Sequence, residues 1–190
     1  MRAVHGILHS LQGSAFVTTF MPADGHAPTA NLSSPTIEAT LQHLFDSAPR
    51  VALSPSDRVV IFSDFHLGDG GPRDDFRTNA SLVRKVLRSH YLESGHTLVL
   101  NGDIEELQRF RLPAIRAAWK EMFDLFEEFR RARGLYKLIG NHDEALPRYG
   151  VEPGRPLLDA VRFTWRDDTP GKPYNPKLVF VDGDNHQVHE

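Results

Sequence analysis

Short runs of β-branched and aliphatic residues alternate with amphipathic helical patterns along the middle of the chain. Such runs are typical of buried strands, and the residues between them repeat with the period of a helix that buries one face. Strand, helix, strand, helix, strand is the pattern of a parallel sheet covered by helices. We therefore predict an α/β fold built on a βαβαβ unit. The predicted strands are residues 58–63, 97–100, 135–139 and 177–181, and the predicted helices are residues 35–48, 78–92 and 112–133.

The first 34 residues do not share this pattern. Residues 1–20 are weakly apolar and are interrupted by polar residues, so they match a signal peptide poorly. Residues 22–35 contain three prolines among small polar residues, which is typical of a linker. We expect residues 1–34 to form a flexible N-terminal arm and residues 35–190 to form the domain. Because no run approaches the roughly 18 apolar residues of a membrane-spanning helix, we expect a cytoplasmic protein.

The composition limits the chemistry that the chain can perform. It contains no cysteine, which excludes disulfides and zinc sites built on thiolates. Its 22 basic and 25 acidic residues give a net charge of −3, which gives no indication of bulk nucleic-acid binding. The ten histidines are available as metal ligands. Any metal site must therefore be built from His, Asp, Glu and Asn.

Metal-binding residue types follow directly after each of the first three predicted strands. Asp64 and His66 follow the first strand, Asp103 follows the second, and Asn141 and His142 follow the third. Because the carboxyl ends of parallel strands lie along one edge of a sheet, we expect these clusters to converge there. If the backbone is extended at Asp64 and His66, their side chains point to the same side.

The residue types in these clusters suit divalent metal ions. Imidazole, carboxylate and amide donors without sulfur favour Mn, Fe, Zn, Ni or Co. Two such ions roughly 3.5–4 Å apart would acidify a bridging water and stabilise an in-line phosphoryl displacement. A single Asp-x-His or Gly-Asp motif would most simply be a turn at the end of a strand, with no role in metal binding. Three such clusters in order, each directly after a strand, are a far more specific pattern.

Together the clusters resemble the first three motifs of the calcineurin-like metallophosphoesterase superfamily, over about 80 of the 190 residues. The resemblance implies a layered α/β sandwich with two metal ions at its site. The matching motifs are Asp64-x-His66, Gly102-Asp103 and Gly140-Asn141-His142-Asp143, and Gly102-Asp103-Ile104-Glu105-Glu106 resembles the branch that contains UDP-2,3-diacylglucosamine pyrophosphatases.

The resemblance also implies a role for each residue of the motifs. Asp64 and His66 would bind one metal ion, Asp103 would bridge both ions, and Asn141 would bind the other. His142 would serve the leaving-group oxygen as a general acid or stabilise the charge of the transition state. Asp143, which follows it, would only orient this histidine.

The chain departs from the family after the third motif, where members carry one further histidine and then a Gly-His-x-His pair. Here only His186 and His189 follow, and no Gly-His-x-His exists. A hairpin at residues 182–185 would place these two histidines on opposite faces of a returning strand, so at most one could reach a given ion. We expect a domain that is incomplete at its C-terminus and supplies little of the family's second sheet. Its exposed last strand would favour self-association through this edge.

Two functions follow from these observations. The first is metal-dependent hydrolysis of a phosphomonoester, phosphodiester or pyrophosphate bond, with Mn²⁺ as the first expectation and a phosphorylated small molecule or nucleotide as substrate. The alternative is a metal-poor remnant that binds a partner or ligand without turnover. Four arginines near the motifs would meet phosphates or be solvated surface residues. These are Arg73, Arg77, Arg109 and Arg111.

Overall fold

The computed structural model describes residues 6–11, 15–20, 35–54, 56–150, 157–165, 177–182 and 188–189. Its elements, in chain order, begin with β1 (Gly6–Leu11), β2 (Ala15–Phe20), α1 (Pro35–Ser47), β3 (Arg50–Leu53), β4 (Arg58–Phe62), α2 (Ala80–Val86) and β5 (His96–Asn101). They continue with α3 (Leu112–Ala118), α4 (Lys120–Ala132), β6 (Leu135–Leu138), β7 (Leu157–Leu158), β8 (Ala160–Trp165), β9 (Lys177–Asp182) and β10 (Val188–His189). Short 3₁₀ helices cover Phe76–Thr78 and Leu146–Tyr149, and Leu87–Leu92 form a π-helical turn.

The strands form two sheets. The first has the order β1-β2-β4-β5-β6-β7, and all its neighbouring strands are parallel except the antiparallel pair β1 and β2. The second has the order β10-β9-β8-β3, in which β8 and β3 are parallel and the other pairs antiparallel. The predicted α/β class is confirmed, with β4, β5 and β6 as adjacent parallel strands.

The central strands of the first sheet are buried on both faces. Val60 and Phe62 of β4 pack with buried residues of the helices, among them Phe129 of α4. Val59 of the same strand packs on the opposite face against Phe163 of the second sheet. This arrangement explains why the strands appear in the sequence as continuous apolar runs. The described elements thus form four layers: the helices α2–α4, the first sheet, the second sheet, and α1, which packs against Ala160 of β8 on the other face of the second sheet.

The N-terminal prediction differs from the structure over residues 6–20. These residues form β1 and β2, and β2 pairs with β4 through Phe16 opposite Val60. The polar residues that interrupt this segment do not prevent an edge hairpin, because an edge strand tolerates polar side chains. The prediction of a flexible arm is therefore wrong for β1 and β2, whereas residues 21–34 lie outside the described residues.

The helix predicted over residues 112–133 divides into α3 and α4 at Trp119. The backbone there is not helical, with φ −114° and ψ 30°. The Trp119 indole Nε1 donates a hydrogen bond to Asp74 Oδ2 at 2.9 Å, and its ring lies edge-on to Phe76 with centroids 5.1 Å apart. These contacts with a distant loop are not visible in the helical periodicity. The helix predicted over 78–92 is present as α2 and the π-helical turn that continues it to Leu92.

The prediction that the chain supplies little of a second sheet is also wrong, because that sheet has four strands in the described part of the chain. Its strand β8 carries Arg162, which is buried and donates to the main-chain carbonyls of Asp46 and Ala48 at the end of α1. A buried arginine obscures the apolar pattern by which a strand is recognised. The two strands of the predicted hairpin are present as the antiparallel pair β9 and β10, and residues 183–187 between them lie outside the described residues.

Across these described residues, no helix has the length and apolar character needed to span a bilayer.

Candidate metal centre

The polar segments after β4, β5 and β6 meet at one edge of the first sheet. The main-chain N–H of His66 donates to the carbonyl of Asp103 at 3.0 Å, and that of Leu67 donates to Ile104 at 2.8 Å. The N–H of Leu107 donates to the carbonyl of His142 at 3.0 Å. Main-chain hydrogen bonds therefore hold the three segments together beyond the ends of the strands themselves.

Three site residues adopt a left-handed backbone conformation. Asp64, His66 and Asp103 have φ values of 58°, 49° and 54°, and they are the only non-glycine residues with positive φ in the described part of the chain. Left-handed conformations are costly for residues with a Cβ and concentrate at functional sites. The extended backbone predicted for Asp64 and His66 is wrong, because both lie beyond the end of β4. Their side chains are nevertheless close, with His66 Nε2 3.9 Å from Asp64 Oδ1.

Among the described residues, His66, Asp103 and His142 form a cluster of potential metal ligands. One donor atom from each lies within 4.8 Å of the other two. The two imidazole rings meet edge to face, with centroids 4.4 Å apart. Asp103 is buried, and its Oδ1 accepts the main-chain N–H of His142 at 2.8 Å. Both histidines remain partly exposed, so the cluster is accessible from solvent.

The other predicted ligands lie around this cluster. Asp64 is partly buried and neighbours His66. Asn141 is exposed, and its main-chain carbonyl accepts a hydrogen bond from Gln108 Nε2 at 3.1 Å. His186 lies outside the described residues, and His189 belongs to the edge strand β10, of which only the backbone is described.

Glu106 is the site residue that the sequence reasoning missed. It is 3% exposed, and its Oε2 lies 2.9 Å from His142 Nδ1 and 3.3 Å from His66 Nδ1. Its Oε1 is buried and has no hydrogen-bond partner among the described residues. Two consecutive glutamates, Glu105 and Glu106, directly after the Gly-Asp motif were the pattern that could have revealed it.

Glu105 has a different partner. Lys137 Nζ, from β6, contacts both oxygens of the buried Glu105 carboxylate. A lysine within the apolar run 135–139 is the sequence feature that corresponds to this ion pair. The charge of Glu105 is thus compensated by Lys137, whereas the Glu106 carboxylate lies against the two imidazoles.

Asp143 links two strand ends and does not contact an imidazole. It is fully buried, and its two oxygens accept the main-chain N–H groups of Gly140 at 2.7 Å and Ile104 at 2.9 Å. Burial raises the pKa of this carboxyl to about 6, against the opposing effects of Lys137 and the two N–H donors. The expectation that Asp143 orients His142 is wrong in this structure, since Glu106 makes that contact.

Gly140 allows the third segment to approach Asp103 closely. A Cβ placed on Gly140 would lie 2.4 Å from Asp103 Oδ1 and 2.7 Å from Asp103 N. Its φ is not positive, so the requirement for glycine here is steric.

The donors of the cluster fit a divalent cation. Imidazole nitrogen and carboxylate oxygen suit Mn, Fe, Zn, Ni and Co. The buried carboxylates of Asp103 and Glu106 place negative charge there, and Glu106 Oε1 has no partner in the described part of the chain. A cation would offset the cost of burying that charge.

Comparisons with known proteins returned no match, whether with family models, with curated proteins or with solved structures.

Proposed function

We propose that this protein is a metal-dependent phosphoesterase of the calcineurin-like type, which hydrolyses a phosphomonoester, phosphodiester or pyrophosphate bond. The observation that carries this proposal is the meeting of His66, Asp103 and His142 within 4.8 Å after three adjacent parallel strands. That edge is where open α/β sheets bind their ligands. The left-handed backbone of Asp64, His66 and Asp103 supports it.

In this proposal, Asp64 and His66 would hold one ion, and Asp103 and Asn141 are the residues that would help to hold a second. Mn²⁺ is the preferred ion, with Fe, Zn, Ni or Co as alternatives. Bound there, such ions would acidify a water molecule and offset the charge of a phosphate. A phosphorylated small molecule or nucleotide is the proposed substrate, bound at the partly exposed side of the cluster.

His142 supplies the proton for the leaving group. Its Nδ1 lies 2.9 Å from the buried Glu106 carboxylate, which fixes the orientation of the ring. With Nδ1 engaged, Nε2 is the nitrogen that remains to deliver a proton to the leaving oxygen. General-acid assistance of this kind is worth about 10²–10⁴-fold in rate.

A binding domain without turnover is the second candidate. It is favoured by the absence of a Gly-His-x-His pair from the sequence and by the exposed position of Asn141. In that case the second ion would lack ligands and the cluster would hold one ion or none.

Metal content and hydrolysis, measured on the same protein, separate the two candidates. The full chain is stripped with a chelator, reloaded with Mn²⁺ and analysed for bound metal. It is then assayed on an aryl phosphomonoester, a bis-aryl phosphodiester and a nucleoside diphosphate sugar. We expect two ions per chain and hydrolysis of at least one substrate. A chain that binds no ion, or that binds two and hydrolyses none of the three, contradicts the proposal.

Asp103→Asn and Asp69→Asn provide a matched pair for this assay. Asp69 is exposed in the loop after His66, and its Oδ1 accepts the N–H of Gly71, a bond that Asn can also make. Because Asp103 would contribute to both ions, we expect its variant to lose most bound metal and most activity. The Asp69 variant should retain both. Wild-type metal content and turnover in Asp103→Asn would exclude a bridging role.

A further inference from the structure

Asp74 anchors the loop of residues 68–76, which follows the polar segment after β4. It is 6% exposed. Its Oδ2 accepts the main-chain N–H of Gly70 at 2.7 Å and the indole N–H of Trp119 at 2.9 Å, and its Oδ1 accepts the N–H of Phe76 at 3.0 Å. An asparagine would turn its NH₂ group towards at least one of these N–H donors. The hydrogen bonds at this position are therefore specific for a carboxylate.

This loop holds the chain on both sides of His66. On one side, the ring of Phe76 packs against that of the buried Phe65, with centroids 5.3 Å apart. On the other side, Gly68 lies so close to Asp74 that an added Cβ would be 2.8 Å from Asp74 Cγ. Because His66 lies between Phe65 and Gly68 in the sequence, a displacement of the loop would act on its backbone from both directions.

The next carboxylate along the loop has a different environment. Asp75 Oδ2 accepts a hydrogen bond from Arg109 at 2.9 Å, and the same guanidinium donates to the main-chain carbonyl of Arg73 at 2.7 Å. Both side chains of this ion pair are exposed, and such pairs contribute little to stability. Asp74 and Asp75 are thus adjacent carboxylates, of which only the first is buried among N–H donors.

The left-handed backbone of Asp64 and His66 requires support from its surroundings. Residues with a Cβ keep a positive φ only where the neighbouring structure holds them in it. We propose that Asp74 is a positioning residue, which through its loop holds Asp64 and His66 in the geometry that binds the first ion. The assignment of these two residues as ligands rests on the proposed function, whereas their dependence on Asp74 can be measured without activity.

Asp74→Asn and Asp75→Asn make the same chemical change at adjacent residues of the full chain. The first measurement is the ¹³Cα chemical shifts of Asp64 and His66 in the metal-free chain, because these shifts report backbone φ and ψ. We expect both to change in Asp74→Asn and neither to change in Asp75→Asn. Changes confined to the loop 68–76 in Asp74→Asn would overturn the proposal, because Asp74 would then order its own loop without acting on the ligands.

The second measurement is calorimetric titration of the same proteins with Mn²⁺. We expect the affinity to fall at least about tenfold in Asp74→Asn, as for other groups that support metal ligands, and to stay at the wild-type value in Asp75→Asn. If Asp74→Asn does not fold, Trp119→Phe takes its place, since it removes one of the three donors and keeps an aromatic ring beside Phe76. It should change the same ¹³Cα shifts and lower the affinity by less. Wild-type shifts and affinity in Trp119→Phe would then overturn the proposal.

The positioning role and the proposed function can fail separately. If both measurements respond as expected and the Mn²⁺-loaded wild type hydrolyses no phosphate ester, the proposed function fails while the positioning role stands. If the wild type hydrolyses a phosphate ester and Asp74→Asn keeps the wild-type ¹³Cα shifts or Mn²⁺ affinity, the positioning role fails alone. If the wild type binds no Mn²⁺, the proposed function fails and the ¹³Cα shifts alone decide whether Asp74 positions Asp64 and His66.

Discussion

Gly140→Ala should disrupt the candidate metal centre without altering any proposed ligand. The added methyl would lie 2.4 Å from Asp103 Oδ1 and 2.7 Å from Asp103 N. Non-bonded carbon contacts are about 3.5 Å or longer, so Asp103 or the turn must move by roughly 1 Å. Metal sites tolerate changes in ligand distance of only about 0.2 Å. We therefore expect the Mn²⁺ affinity to fall at least about tenfold.

The stability cost of this substitution is expected to be moderate. Forcing a methyl group into a packed interior costs about 1–3 kcal/mol in the free energy of unfolding. Gly150→Ala provides a control that should lower the free energy of unfolding by a similar amount, through backbone strain and not through a steric contact. Gly150 has φ 83° and ψ 149°, a conformation costing about 1–3 kcal/mol for other residues, while its Cβ would meet nothing within 4 Å.

The assay compares both variants by urea unfolding and by calorimetric titration of the metal-free chain with Mn²⁺. Both should lose stability, and only Gly140→Ala should lose affinity. Wild-type Mn²⁺ affinity in Gly140→Ala would refute the close approach as a determinant of the site. Equal loss of affinity in both variants would show that reduced stability, and not the contact with Asp103, is responsible.

Two further predictions concern His142 and Asp143. His142→Ala should retain metal and lose about 10²–10⁴-fold in turnover on an alkyl phosphate. The loss should be smaller on an aryl phosphate, because its leaving group needs no proton. Equal losses on both substrates, or loss of metal, would contradict the general-acid role. Since burial raises the folded-state pKa of Asp143 to about 6 from 3.8, the folded chain binds this proton more tightly than the unfolded chain. The metal-free wild type should therefore lose unfolding free energy relative to Asp143→Asn as pH rises from about 4 to about 6, by up to roughly 3 kcal/mol. Urea unfolding of both proteins across this pH range measures the difference. If the wild type instead gains unfolding free energy relative to Asp143→Asn as pH rises, the folded state stabilises the carboxylate and the prediction is wrong.

The central parallel strands could be predicted because the apolar pattern that marks them lies within a few consecutive residues. The runs at β4 and β5 are buried on both faces, so most of their residues are apolar, whereas β6 is largely half-buried and carries Lys137. Of the second sheet, the strand at 177–181 was predicted, but β8 was missed although it is buried, because its apolar pattern is interrupted by a charged residue. In β8 the buried Arg162 faces α1 and bonds to carbonyls at its end, a partner more than 100 residues away that no local pattern indicates.

In the candidate site, too, some residues could be placed from the sequence and others depend on contacts between distant segments. That Asp103 and His142 lie close together follows from strand order alone, because each residue comes directly after a strand of one parallel sheet. Glu106 could not be assigned in this way, because its two imidazole partners come from two other segments. The left-handed backbone of Asp64 and His66 also depends on hydrogen bonds to the neighbouring segment.

Trp119, which separates α3 from α4, gives the protein a built-in optical reporter. Its indole N–H bonds to Asp74, whose carboxylate also accepts the N–H groups of Gly70 and Phe76 and so organises the loop that leads away from His66. Indole emission responds to the loss of such a hydrogen bond. The sequence contains one other tryptophan, Trp165. In a Trp165→Phe background, any movement of this loop when a cation or phosphate enters the site would be read directly from the fluorescence of a single residue.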